Sequence, residues 1–144
     1  MSAMSDYLEN KMIDQLFRGQ TAPTTSTLYV ALLTAAPSDS GGGTEVSGGA
    51  YARVAVTSSL ANWAGTQSAG STTASSGTGG QTSNNIAITF PTPSATWGTA
   101  THFGIYDAST DGNLLFHGAL SIAKTINESD TVTFPIGTLS VTFA

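Results

Sequence analysis

The chain contains no cysteine, which excludes disulfides and thiolate-bound metals and leaves the redox compartment open. Charge is nearly as scarce. Charged residues make up 9% of the 144 positions, against roughly 25% in an ordinary soluble domain. Only four are basic, Lys11, Arg18, Arg53 and Lys124, and they are scattered. No group of them could follow a phosphate backbone, so nucleic acid is not an expected partner. No apolar run approaches the roughly 20 residues of a membrane span, and the start does not read as a signal peptide. A membrane is therefore not an expected partner either.

Gly, Ser, Thr and Ala fill the deficit, on a background that is still 40% hydrophobic. That is not the composition of a disordered chain. The length fits a single domain, 1–144, with a core of its own. A surface so poor in charge points to burial against other protein.

Residues 5–18 read as the one helix. Leu8, Met12, Ile13, Leu16 and Phe17 form an apolar stripe, Asp6 and Glu9 have the spacing of a capping box, and Gly19 stands where the helix would stop. The stripe is expected to cover one side or end of a β core, or else to dock on a neighbouring subunit.

From 27 to 143 the pattern is that of strands. TLYVALLTA (27–35) is an apolar run suited to a buried strand, and AYARVAVTS (50–58) alternates. Further strands are expected in 85–91, 97–108, 113–126, 130–135 and 138–144, about seven in all, separated by turn residues. The expected fold is mainly β, an antiparallel β-sandwich of jelly-roll type with one N-terminal helix. Residues 37–49 read as a long loop. Segment 64–85 has neither charge nor a large apolar residue and reads as a mobile loop or arm.

Chemistry is concentrated, if anywhere, in THFGIYDASTDGNLLFHGAL (101–120), which holds both histidines. As a hairpin turning at Asp111-Gly112, this stretch puts His102 and His117 on one face. They stand four residues apart with a two-residue loop and two apart with a four-residue loop, about 13 or 7 Å. Neither spacing converges on one zinc, and strand parity keeps Asp107 off that face. Asp107 and Asp111 fit turn roles. No Gly-x-Ser-x-Gly elbow is present, Asn127-Glu128-Ser129 is only a short sequon, and Trp63 and Trp97 read as packing aromatics. No catalytic, cofactor-binding or metal-ligating residue is assigned, no cofactor is expected, and the chain does not read as an enzyme.

The stretches 27–57 and 90–120 resemble a family of small bacteriophage virion proteins often labelled tail-fibre proteins, similar to capsid cement or decoration proteins. The most specific pieces are Gly-Thr-Glu-Val-Ser-Gly-Gly-x-Tyr-Ala-Arg (43–53) and Trp-Gly…His-Phe-Gly-Ile-Tyr-Asp (97–107). The resemblance implies a structural protein of the virion, assembled in the host cytoplasm. Because 144 residues leave little room for a shaft, the expected role is a cement protein. It would bind the major capsid protein on the outside of the head, bridge capsomers and pack as a homotrimer. A tail-fibre or tail-tip protein is the alternative. A carbohydrate-binding module using Tyr51, Trp63 and Trp97 is a third reading, and would need those rings on one exposed face.

Overall fold

The computed structural model describes residues 2–22 and 24–143; Met1, Pro23 and Ala144, the last of these ending the predicted strand 138–144, lie outside the described residues. In chain order the elements are β1 (Ser2–Met4), α1 (Asp6–Arg18), β2 (Thr27–Ala35), β3 (Thr44–Glu45), β4 (Val54–Thr57), β5 (Gln81–Ser83), β6 (Ile88–Thr89), β7 (Gly98–Tyr106), β8 (Leu114–Ile126), β9 (Thr133–Phe134) and β10 (Ser140–Thr142).

The main sheet runs β1-β8-β7-β2, and the outer edge of β2 is shared between β4 at its start and β3 at its end. Two antiparallel ribbons, β5 with β10 and β6 with β9, supply the second layer. Ile88, Phe90, Leu139 and Val141 from that layer meet Val30, Leu32, Phe103 and Ile105 of the sheet in one buried cluster. This is the antiparallel sandwich with an N-terminal helix that the sequence predicts, although its second layer is two ribbons rather than a full sheet. In β2, Val30 and Leu32 point into that cluster, while Leu33 is buried beside Gly43 and Gly104. Both faces of β2 are covered, which is why its sequence is continuously apolar rather than alternating.

Three strands were not expected. β1, β3 and β5 are two or three residues each, too short to show a period. β1 precedes the helix and pairs with β8, Ala3 opposite His117, so the sheet begins before residue 27. β5 lies inside segment 64–85 and β3 inside the expected loop 37–49. Much of the rest of 64–85 folds back on itself: Thr66 bonds Ser76, Gln67 bonds Ala74, and Asn85 bonds Ser71.

The helix runs Asp6–Arg18 and ends on Gly19, which has φ 65°. Its cap is Ser5, not the Asp6 of the predicted capping box. The Leu8 amide donates to Ser5 Oγ at 3.3 Å, the Ser5 hydroxyl donates to the Leu114 carbonyl, and the Ser5 amide donates to the Leu115 carbonyl at 2.9 Å. One buried serine thus starts the helix and fastens it to β8. Ser5→Ala removes a cap contact worth about 1 kcal/mol and a buried hydrogen bond worth about 1 kcal/mol. The expected loss is about 2 kcal/mol, read as a lower denaturant midpoint at an unchanged slope.

Candidate functional site

β7 and β8 pair His102 with Ala119 and Gly104 with His117, so the histidines stand two residues apart, as the looser of the two predicted turns requires. A bulge between Ile105 and Tyr106 sets this register. The two rings find separate partners. His117 Nε2 lies 3.0 Å from Asp39 Oδ1, and His102 Nδ1 lies 2.8 Å from Thr101 Oγ1. Asp39 comes from the loop before β3, and its carbonyl accepts from the Asp6 amide at the helix start. Asp107 closes the turn by accepting from the Asn113 amide and side chain at 2.7 and 2.8 Å. Asp111 and Gly112 supply its two positive φ angles. Among the described residues no three His, Asp or Glu side chains gather to hold a metal. Asn127 and Ser129 belong to a turn in which the Asn127 amide donates to Asp130.

The densest polar constellation escapes a reading by residue type. Arg53, just before β4, donates through Nε and Nη2 to the two carboxylate oxygens of Glu45 in β3, at 2.9 and 2.8 Å. Its Nη1 donates to the carbonyls of Ala108 and Asp111, both at 2.8 Å, and its guanidinium lies 3.7 Å from the Tyr106 ring centre. Tyr51 donates to Glu45 and accepts from the Leu32 amide. The two runs that carry the family resemblance, 43–53 and 97–107, therefore meet here. Arg53 clamps the turn at the end of the second run while Glu45 and Tyr51 hold it from the first. Each polar atom is directed at another part of the fold, so the group is a fastening between edge strands and hairpin.

Burial drives the Tyr51 phenol far above its ordinary value near 10, with the Leu32 amide only partly opposing this. Burial also raises Tyr106. Both folded values exceed the unfolded ones, so stability is full below about pH 10 and falls as pH rises beyond it. An ultraviolet titration is expected to show Tyr51 ionising only with unfolding and Tyr106 ionising later than an exposed tyrosine. Early, reversible ionisation of all four tyrosines would contradict this packing.

The rings proposed for sugar stacking are not displayed together. Trp97 is 6% exposed, donates from Nε1 to the Gly49 carbonyl at 2.8 Å and meets Tyr51 edge-on at 5.2 Å between centres. Gly49 has φ 54°, and a Cβ there would come within 2.9 Å of the Trp97 nitrogen, so only glycine fits. Trp63 is half-buried against the core, its indole nitrogen enclosed. Tyr51 and Trp97 are packing residues, and the carbohydrate reading loses its platform.

Among the described residues, two open apolar surfaces bear on function. The helix meets the body through Tyr7 and Leu8 and has no fully buried residue, whereas Ile13, Leu16 and Phe17 are 51, 66 and 82% exposed. The predicted stripe thus covers the core only along its Leu8 edge, because Ser5, Tyr7 and Leu8 fix which way the helix turns. The second surface is a groove of about 650 Å³ between the far half of β8 and the β9–β10 segment. Ile122, Lys124, Val132, Phe134 and Leu139 are among its lining residues.

These surfaces suit contacts with protein. No curated protein matches the chain. A family model does, over residues 3–142: that of Gp80, the podophage GP4 fiber I protein gp80. With nearly its whole length matched, the chain belongs to the Gp80 family and is a structural protein of a phage virion.

Proposed function

We propose that the chain is a non-enzymatic subunit of the virion exterior, built into the fibre apparatus of the tail, which works by binding copies of itself and neighbouring virion proteins. The observation that carries this is the helix: three large apolar side chains on one face of α1 are open to solvent. Exposed apolar patches of that kind mark protein contacts. The scarcity of charge fits the same role. Between residues 19 and 123 the only charged side chains besides histidine are Arg53, Asp39, Glu45, Asp107 and Asp111, so sheet edges lack the lysines that guard a free monomer. Self-association is proposed as a closed assembly, which hides the same patch on every copy; the trimer is the form that the resemblance to small phage virion proteins implies. Membership in a fiber-protein family supports the tail location.

A second reading, the capsid cement protein bridging capsomers against the major capsid protein, is favoured by the short strands of the sandwich, the longest of which has 13 residues. Immunogold labelling of virions separates the two. Label at the tail is expected, and label spread over the head surface would replace the fibre reading by the cement reading.

A further inference from the structure

We infer that the exposed face of α1 docks in the open groove of a second copy of this chain, an interface that rests on the self-association proposed above. Glu9, Ile13, Leu16 and Phe17 stand at i, i+4, i+7 and i+8, so the apolar side chains share a face with one carboxylate. The groove offers the complement, a trough in which Ile122, Val132, Phe134 and Leu139 stand among serines, threonines and one lysine. A large irregularity in β8 shapes it. Between the pairs His102–Ala119 and Ala100–Lys124, β7 advances two residues and β8 five, and Ile122 on the bulged stretch is 81% exposed. A bulge of this kind re-aims side chains.

Charge identifies the occupant. Arg53 is committed to Glu45, Arg18 to Asp14, and Lys11 lies over the Tyr7 ring. Lys124 has no acidic partner among the described residues, and neither has Glu9 a basic one. In a chain of net charge −5, a lysine without an acidic partner among the described residues, in a groove with an apolar floor, favours an acidic, apolar visitor, and the chain's own helix is one. The spacings agree. Glu9 precedes Ile13 by about 6 Å along the helix, and Lys124 follows Ile122 by at most about 7 Å along the strand. With Ile13 and Leu16 in the trough beside Ile122, Glu9 reaches Lys124. Helix and groove are different surfaces, so the contact closes either reciprocally across a twofold axis or head-to-tail in a larger ring, the proposed trimer being of the second kind.

Sedimentation velocity of the purified full chain tests the interface, with circular dichroism checking that each variant stays folded. The wild type is expected to be oligomeric at micromolar concentration. The pair Leu16→Glu with Phe17→Glu, and separately Ile122→Glu, are expected to weaken association more than about a hundredfold, as for residues at the centre of an interface. Glu9→Lys and Lys124→Glu each weaken it about tenfold, and the double swap in one chain recovers most of the loss. A monomeric wild type, a helix variant that dissociates while Ile122→Glu and Lys124→Glu do not, or a double swap no better than the singles would each overturn the interface. A monomer found at the tail would sink this interface while leaving the fibre reading standing. An intact oligomer found on the head would do the reverse.

Discussion

Arg53→Ala is expected to destabilise the fold by about 3–5 kcal/mol, the usual cost of removing one partner from a buried ion pair. The Arg53 side chain is 7% exposed and that of Glu45 26%, so the lower half of that range applies. The loss has three parts. The Glu45 carboxylate keeps only the Tyr51 hydroxyl, the Ala108 and Asp111 carbonyls lose their donor, and the Tyr106 ring loses the guanidinium stacked on it. Arg53→Lys restores the charge but not the planar fork that serves Glu45 and the turn together, so it recovers only part of the loss. In a double-mutant cycle with Glu45→Gln, the combined loss is expected to fall well short of the sum of the singles. Chemical denaturation measures all four proteins, and an Arg53→Ala loss below about 1 kcal/mol would mean that the clamp contributes little.

Asn84→Asp, a change of one atom type, is expected to cost about 3 kcal/mol or more at neutral pH. Asn84 is completely buried. Its amide nitrogen donates to the carbonyls of Ile86 and Pro135 at 2.8 and 2.9 Å, and its side-chain oxygen accepts from the Leu139 amide at 2.9 Å. Its backbone closes the same knot, through the Leu139 carbonyl and the Gly137 amide. A carboxylate here would face carbonyl oxygens in a site closed to solvent, and both burial and those oxygens favour the protonated acid. The folded pKa of the new Asp is therefore raised. The variant is most nearly normal below the unfolded value of about 4 and loses stability as pH rises above it. Thermal melting of wild type and variant across that interval checks the sign, and equal losses at acid and neutral pH would contradict it.

Asn84 also shows where the sequence stops being informative. By composition it belongs to the uncharged Gly/Ser/Thr stretch, because its importance comes from partners about 50 residues further on. The long strands 27–35, 98–106 and 114–126 were legible, since burial on one or both faces leaves a pattern longer than a turn. The ends of the helix were legible to within a residue, yet the direction of its stripe was not. Periodicity says that Leu8, Met12, Ile13, Leu16 and Phe17 lie on one broad face, but the anchor at Ser5, Tyr7 and Leu8 decides how much of that face meets the core. The Asp107–Asn113 turn was readable from its chemistry. The Glu45–Arg53 pair was visible only as part of a familiar run, with no local rule to say that Arg53 reaches across to residues 108 and 111.

A closed assembly is favoured over a single helix-in-groove contact. Full burial of Ile13, Leu16 and Phe17 would contribute about 1.5–3 kcal/mol each. Association costs on the order of 4–15 kcal/mol. One helix in one groove is marginal. In a ring every copy gives a helix and receives one, so the number of contacts equals the number of copies while each arrangement stays identical. Such a unit needs no shaft of its own to take part in a fibre.

The most direct test is a density map of the virion in which this chain can be traced. The account predicts copies clustered in the tail fibres, with α1 of each seated between β8 and the β9–β10 segment of its neighbour. Copies standing singly on the head, with Ile13, Leu16 and Phe17 open to solvent, would contradict it.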